Sequence, residues 1–355
     1  MLKLLGWLTC LMVALFATVT PPRDCNAGEK TLEIYFIDVM GGAATLIVTP
    51  EKESVLIDSG WPGLEDRDPK RIVRVLKETA GLDHLDHLIT THWHTDHYGG
   101  VAGLVKLIRV DHFWDRGLPD LTKDDADRTA YPDGPTREDA MGIAYRKASE
   151  GKRHALKAGD KLLLRGDVDA VVLASGGEVT PTAGTENDGC AASPADLKRD
   201  GSDNARSLAI RFRFKSFDFL DCGDLTWNIE KKLVCPADKI GPIDLYQVTH
   251  HGMSISNHPT LVKTIAPTVT VMNNGPRKGG DPATVELLKS IPSVKAAYQL
   301  HKNAATKPEQ NTDPELIANA DPVGGQFIHA VVAADGKSYS VQIGADGATK
   351  EFATK

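Results

Sequence analysis

The stretch "HLITTHWHTDHYGG" constrains this chain more than any other. A short apolar run, His87 to Thr90, gives way to His92, His94, Asp96 and His97, and Gly99-Gly100 then opens the helical pattern "GGVAGLVKLI". Strand, polar loop, helix is the order in which open α/β sheets bring ligands to the carboxyl ends of their strands. Alternate residues leaving a strand point the same way, so His92 and His94 can hold one ion between their imidazoles. Asp96 and His97 lie where the chain turns into the helix and can face a second ion. Nitrogen and carboxylate donors at this density suit two divalent ions, zinc first, with manganese or iron as competitors. The glycines allow close backbone approach before the helix begins. Histidines standing alone, at 84, 87, 112, 154 and 329, show no such spacing and read as ordinary polar or packing residues.

The flanking pattern is one of strands alternating with helices. "TLEIYFIDV", "ATLIVTP" and "ESVLIDSG" read as three strands, and "PKRIVRVLKETAG" as a helix with a glycine stop. Polar residues from about 111 to 160 read as an insertion, and the Gly/Asp/Ser-rich segment from Thr180 to Asn204 as a long loop. "ARSLAIRFRFKSFDFLDCGD" reads as a hairpin turning near Lys215-Ser216. "DLYQVTH", "TVTVMNN" and "AAYQLHK" are further strands, separated by the helical "PTLVKTIA" and "PATVELLKSI". Two halves, each of strands followed by βα units, suit a sheet-on-sheet core with helices outside, in a single domain over 30–345 with a tail at 346–355.

A dinuclear site needs closing ligands from elsewhere, and two strand ends offer them. "FLDCGDLT" delivers Asp224, a carboxylate able to bridge two ions, and "LYQVTHHGMS" delivers His250 and His251. His250 continues directly from its strand and is taken as the ligand, with His251 as its alternate or as a proton donor to the leaving group. Asp58 in "VLIDSG" has the character of a carboxylate that orients a ligand imidazole. Trp93, Asn204, Ser207 and Lys302 are candidate substrate contacts, although Trp93 is equally suited to packing beneath the site.

In that order, "LIDSG", "THWHTDHYGG", "CGD" and "THHG" resemble the metallo-β-lactamase fold hydrolases, over roughly Lys30 to Gly344. Within that superfamily the chain is most similar to the extracellular domain of bacterial DNA-uptake (competence, ComEC-type) channels. The likeness rests on "IYFIDVMGGAATLIV", "DNARSLAIRF", "DFLDCGDL", "VTHHGMS" and "AAYQLHKN". The resemblance implies an αββα four-layer sandwich with a dinuclear site at one sheet edge. Carried over by motif, one metal takes His92 and His94, the other takes Asp96, His97 and His250, and Asp224 lies between them. Asp96 and His251 are the candidate catalytic residues. Most lactamase-like relatives carry a further histidine before the bridging aspartate, where this chain shows Asn204 and Ser207. That departure leaves one metal under-coordinated and disfavours lactam or thiolester hydrolysis. The opening turn also departs, with Gly42-Ala43 in place of Gly-Asp.

The remaining features concern location and partners. "MLKLLGWLTCLMVALFATVTPP" has the layout of a secretory signal peptide within residues 1–27, cleaved between 17 and 27, which places the mature protein outside the cytoplasm without a membrane span. In an oxidising compartment a disulfide is expected, and Cys190–Cys235 is the pairing favoured among Cys190, Cys222 and Cys235. A formal net charge of −7 argues against a broadly basic surface gripping nucleic acid. The reading that follows is a secreted dinuclear-metal hydrolase in which a metal-bridged hydroxide attacks a phosphoester or phosphodiester, small or polymeric, of nucleic acid or envelope origin. A lactone, lactam or carboxylic ester hydrolase on the same site is the alternative. A metal-binding envelope protein without turnover is the third reading.

Overall fold

The computed structural model describes residues 30–195 and 197–355. The expected leader lies outside the described residues. No helix among those residues is long and apolar enough to cross a membrane.

Runs of apolar residues four to eight long, interrupted by helical segments, should form parallel strands buried on both faces. Two sheets of this kind result. The first runs, edge to edge, Lys350–Ala353, Ser338–Ile343, Ile328–Val332, Leu32–Phe36, Thr45–Val48, Ser54–Ile57, His84–Thr90, Arg109–Asp115, Arg153–Ala155. The second runs Ile317–Asn319, Ala296–His301, Val269–Met272, Leu245–Gln247, Phe217–Asp221, Ala209–Phe214, Val168–Ser175, Lys161–Leu163. Pairing is parallel from Ser54–Ile57 to Arg153–Ala155 and from Phe217–Asp221 to Ile317–Asn319. Parallel neighbours need a crossover, and helices supply it. Arg67–Arg74, Val101–Leu107 and Ala140–Ser149 serve the first sheet, and Trp227–Val234, Pro259–Ile265 and Pro282–Ser290 the second.

The alternation of side chains along each strand decides the layers. Ile34, Phe36, Ile57 and Ile89 face Phe212, Phe219, Leu245 and Val271 of the other sheet, all buried. Their neighbours Tyr35, Leu56 and Leu88 pack outward against Ile72, Leu76 and Leu104 of the helices. On the far side Leu220, Tyr246 and Met272 meet Leu233, Leu261 and Leu288. The architecture is therefore αββα, as the sequence resemblance implied. Four of these strands end on one rim, where the chain leaves Ser54–Ile57 for Asp58, His84–Thr90 for the histidine cluster, Phe217–Asp221 for Asp224, and Leu245–Gln247 for His250 and His251.

Two boundaries differ from the sequence reading. The insertion expected at 111–160 contributes the sheet strands Arg109–Asp115 and Arg153–Ala155, and only 116–152 and 156–160 leave the sheets, with the helix Ala140–Ser149 in the first of these. Polar residues such as Asp111 and His112 disguised a strand near the sheet edge. The expected tail at 346–355 holds the edge strand Lys350–Ala353, where Phe352 stacks on Tyr339 with centroids 5.4 Å apart. The hairpin turns at Lys215, whose φ of 56° lies in the left-handed region. Cys190 is bonded to Cys235, and Cys222 is buried and free.

Candidate metal centre

The loop after His84–Thr90 is tied to the end of its parallel neighbour by one carboxylate. Asp58 accepts from the Thr91 amide at 2.8 Å and the Thr91 hydroxyl at 2.8 Å. His97 Nδ1 donates to the same carboxylate at 2.7 Å, which aims Nε2 into the rim. That Nε2 lies 3.2 Å from Asp224 Oδ2 and 3.3 Å from Asp96 Oδ2. His251 approaches from the second sheet, its Nε2 3.1 Å from Asp96 Oδ2 and 3.5 Å from Asp224 Oδ2. Its Nδ1 donates to the Asn273 carbonyl at 3.0 Å, an arrangement that leaves Nε2 free for a ligand. Asp96, His97, Asp224 and His251 thus present donor atoms all within 4.8 Å of one another.

A second group shares Asp224. His92, His94 and Asp224 also bring ligand atoms within 4.8 Å of one another. His92 is fully buried, with its Nε2 3.8 Å from Asp224 Oδ2 and without a hydrogen-bond partner. An orphaned buried nitrogen costs about 1–3 kcal/mol unless something pairs with it. His94 Nε2 lies 3.1 Å from the Asp133 carboxylate.

Burial, and then the nearby His97, hold the His92 imidazole well below its ordinary range, so it is neutral. Burial opposes charge on Asp224, but His250, His97 and His251 outweigh it and hold the carboxyl well below the usual range. Burial works against charge on Asp96 too, and His97 and His251 overcome it. Burial opposes charge on His97 and His251 too, but Asp224 outweighs it and holds His97 well above, and His251 above, the ordinary imidazole range. An ion bound there would displace their protons, while the ionised carboxylates and neutral His92 already have the ligand form.

Two sequence assignments change. His251, not His250, closes the group around Asp96 and His97. The cause is backbone: His250 and His251 have φ of 55° and 53°, both left-handed. The turn is held by the His250 amide donating to the Gly223 carbonyl and by the Gly280 amide donating to the His251 carbonyl, each at 2.9 Å. His250 meets Asp224 Oδ2 at 3.4 Å from another direction, with Asn204 Nδ2 3.5 Å from its Nε2 and Ser256 Oγ 3.0 Å from its Nδ1. Trp93, offered as a substrate contact, is 2% exposed. It packs edge-on against Tyr98 and Tyr145 and donates through Nε1 to the Gly117 carbonyl. Trp93 therefore supports the loop from below.

Ser207 accepts the Asp224 amide at 3.2 Å and so positions the shared carboxylate. No contact of the Lys302 side chain with the cluster exists among the described residues. Its place is taken by Lys278, whose ammonium pairs with Asp96 and lies 5.0 Å from the centre of the Trp61 ring. The sequence reading missed Lys278, because nothing local marks "GPRKGGD" as facing a loop 182 residues away. It also missed Asp221, which burial pushes up to about 7 and which accepts from Gln247 Nε2 and the Gly223 amide, each at 2.8 Å. A third His/Asp group, His84, Asp86 and Asp111, sits near the other end of the strands, where Arg165 and Arg109 pair with its acids.

With this geometry in view, comparison with known proteins gives the following. Residues 37–190, which hold Asp58 and the histidine cluster, match the Metallo-beta-lactamase superfamily. A lactamase-like protein of Pestalotiopsis microspora is 39% identical over 83 residues, 23% of this chain and 22% of that protein. An atrochrysone carboxyl ACP thioesterase of Aspergillus terreus is 38% identical over 82 residues, again 23% and 22% of the two chains. The aligned stretch thus spans about a fifth of these curated relatives. Among solved structures, the diiron β-hydroxylase CmlA of Streptomyces venezuelae is 17% identical, covers 70% of this chain and 45% of its own, and has a TM-score of 0.37. A Cronobacter sakazakii metallo-β-lactamase mutant is 13% identical, with coverages of 73% and 71% and a TM-score of 0.29.

Proposed function

We propose that this protein is an extracytoplasmic metal-dependent hydrolase of phosphoesters or phosphodiesters, working at the rim around Asp224. The observation that carries the reading is the convergence of two donor groups on that one carboxylate, with the His92 nitrogen orphaned beside it. The donor set fits two divalent ions, zinc first and manganese or iron as competitors. Asp96, His97, Asp224 and His251 would hold one, and His92, His94 and Asp224 the other.

Such ions supply, when bound, a lowered pKa for water and neutralisation of a phosphoester's negative charge. The chain's own residues do the rest. Asp58 and the Asn273 carbonyl fix the tautomers of His97 and His251, so that Nε2 of each faces inward. Lys278, partly exposed and beside Asp96, offers a cation to a non-bridging oxygen of the substrate. His250, free of the ligand role, is placed to hold a proton at Nε2 and give it to the departing oxygen. The leader pattern and the Cys190–Cys235 bond support work outside the cytoplasm. The order of the motifs supports the closer likeness to the extracellular domain of DNA-uptake channels.

The test is hydrolysis of bis-p-nitrophenyl phosphate and of single-stranded DNA by protein loaded with zinc or manganese. Turnover that His94→Ala abolishes supports the reading, and no turnover of either substrate overturns it. A second reading, hydrolysis of a carboxylic thioester or lactone, draws on the local likeness to the Aspergillus thioesterase. Turnover of thioester or lactone with none of phosphoester would favour it.

A further inference from the structure

Beside the metal centre the described residues form two contiguous clefts along the Trp227–Val234 helix, of about 550 and 500 Å3, which share Arg199, Ile229 and Lys232. The lining of the larger adjoins the site along the chain. Pro132 lines it, and the following residue, Asp133, is the partner of His94. Ala205 and Arg206 line it, and the preceding Asn204 reaches His250.

The charge of these clefts reverses that of the chain. Arg128, Arg199, Arg206 and Lys232 line the larger against only Glu178 and Asp200. The smaller adds Lys231. Cations on a surface are usually paired or simply solvated. Here Arg206 donates to the Ser202 and Thr129 carbonyls and Arg128 to the Gly134 carbonyl, while Arg128 Nε is buried without a partner. Arg199 and Lys232 are exposed. None of Arg128, Arg199, Arg206 and Lys232 has a carboxylate within ion-pair distance among the described residues. Four cations against two acids leave the larger cleft positive, which attracts an anion, and no aromatic ring lines either cleft to stack a base.

We propose that these clefts bind a second phosphate of an extended phosphodiester chain whose scissile group lies at the metal centre, reading the charge of the chain and not its bases. The inference rests on the phosphoester reading of that centre and narrows it to a substrate with several phosphates in series. The cationic track also explains how a chain of net charge −7 gathers a polyanion, since local field and not net charge steers the encounter.

The test is fluorescence anisotropy with labelled hexamers of abasic deoxyribose phosphate, of glycerol phosphate and of thymidylate, with EDTA present to prevent turnover. The full chain is compared with the double variant Arg199→Glu, Lys232→Glu, whose two positions are exposed and outside the metal centre. At about 50 mM salt the variant should bind all three hexamers about tenfold or more weakly. The slope of log K against log salt should fall by about 1.4, from about 0.7 for each of two phosphate contacts. Its turnover of bis-p-nitrophenyl phosphate, too small to reach the clefts, should stay within about twofold. Unchanged binding by the variant overturns the proposal. Binding of thymidylate more than about tenfold tighter than the two base-free hexamers overturns the claim that charge alone is read. Absence of turnover of the small ester overturns only the reading of the metal centre, since the binding measurements need no chemistry.

Discussion

Replacing Asp58 by Asn removes one charge and changes almost no volume at a residue 1% exposed to solvent. The carboxylate now satisfies three donors: Oδ1 takes the Thr91 amide, and Oδ2 takes both the Thr91 hydroxyl and His97 Nδ1. An amide has one acceptor oxygen. If it faces His97, the amide nitrogen opposes the Thr91 backbone N–H. If it faces Thr91, the nitrogen opposes His97 Nδ1 and drives the imidazole proton onto Nε2, where an ion would bind. Either orientation forfeits at least one hydrogen bond to a charged group, about 1.5–3 kcal/mol. Part of that loss falls on folding. The part that orients His97 should weaken the ion held by Asp96, His97, Asp224 and His251 by about 10- to 100-fold. Competition with a zinc chelator, resolving two binding steps, measures this, and circular dichroism of the metal-free variant checks that the fold survives. A folded Asp58→Asn protein that binds both ions within about twofold of the parent refutes the argument that this carboxylate positions His97.

The two adjacent histidines separate cleanly by metal content and rate. His251→Asn should lose one of two ions by elemental analysis, whereas His250→Asn should keep both and lose about 10²- to 10⁴-fold in turnover of a phosphodiester with a poor leaving group; the reverse pattern would restore His250 as the ligand. At the entry to the Val101–Leu107 helix, a Cβ on Gly100 would lie 1.9 Å from the Ser59 carbonyl oxygen, while the Gly100 amide donates to the Gly60 carbonyl at 3.1 Å. Gly100→Ala should therefore destabilise by about 1–3 kcal/mol or more, read from the urea midpoint of the metal-free protein, and an unchanged midpoint would show that the backbone gives way freely there.

What the amino-acid order determined alone is what local geometry determines. Apolar runs such as "SVLI" and "TVTVM" declare strands buried on both faces, and the helices between them demand parallel crossovers, so the layered architecture was legible. His92, His94, Asp96 and His97 were legible for the same reason, because six consecutive residues leaving a strand for a helix have little freedom in where they point. The strand at Lys350–Ala353 was not, since an edge strand alternates polar and apolar residues weakly and exists only because Ser338–Ile343 offers it a partner. Nor was the choice between His250 and His251, since side-chain direction there follows from two left-handed backbone angles. Those angles are held by hydrogen bonds to Gly223 and Gly280, both distant in the chain. Lys278 reached Asp96 by the same kind of long-range placement. Spacing decides direction only where the backbone is regular, and where a turn is imposed from outside, the tertiary contacts that impose it choose which side chain faces the site.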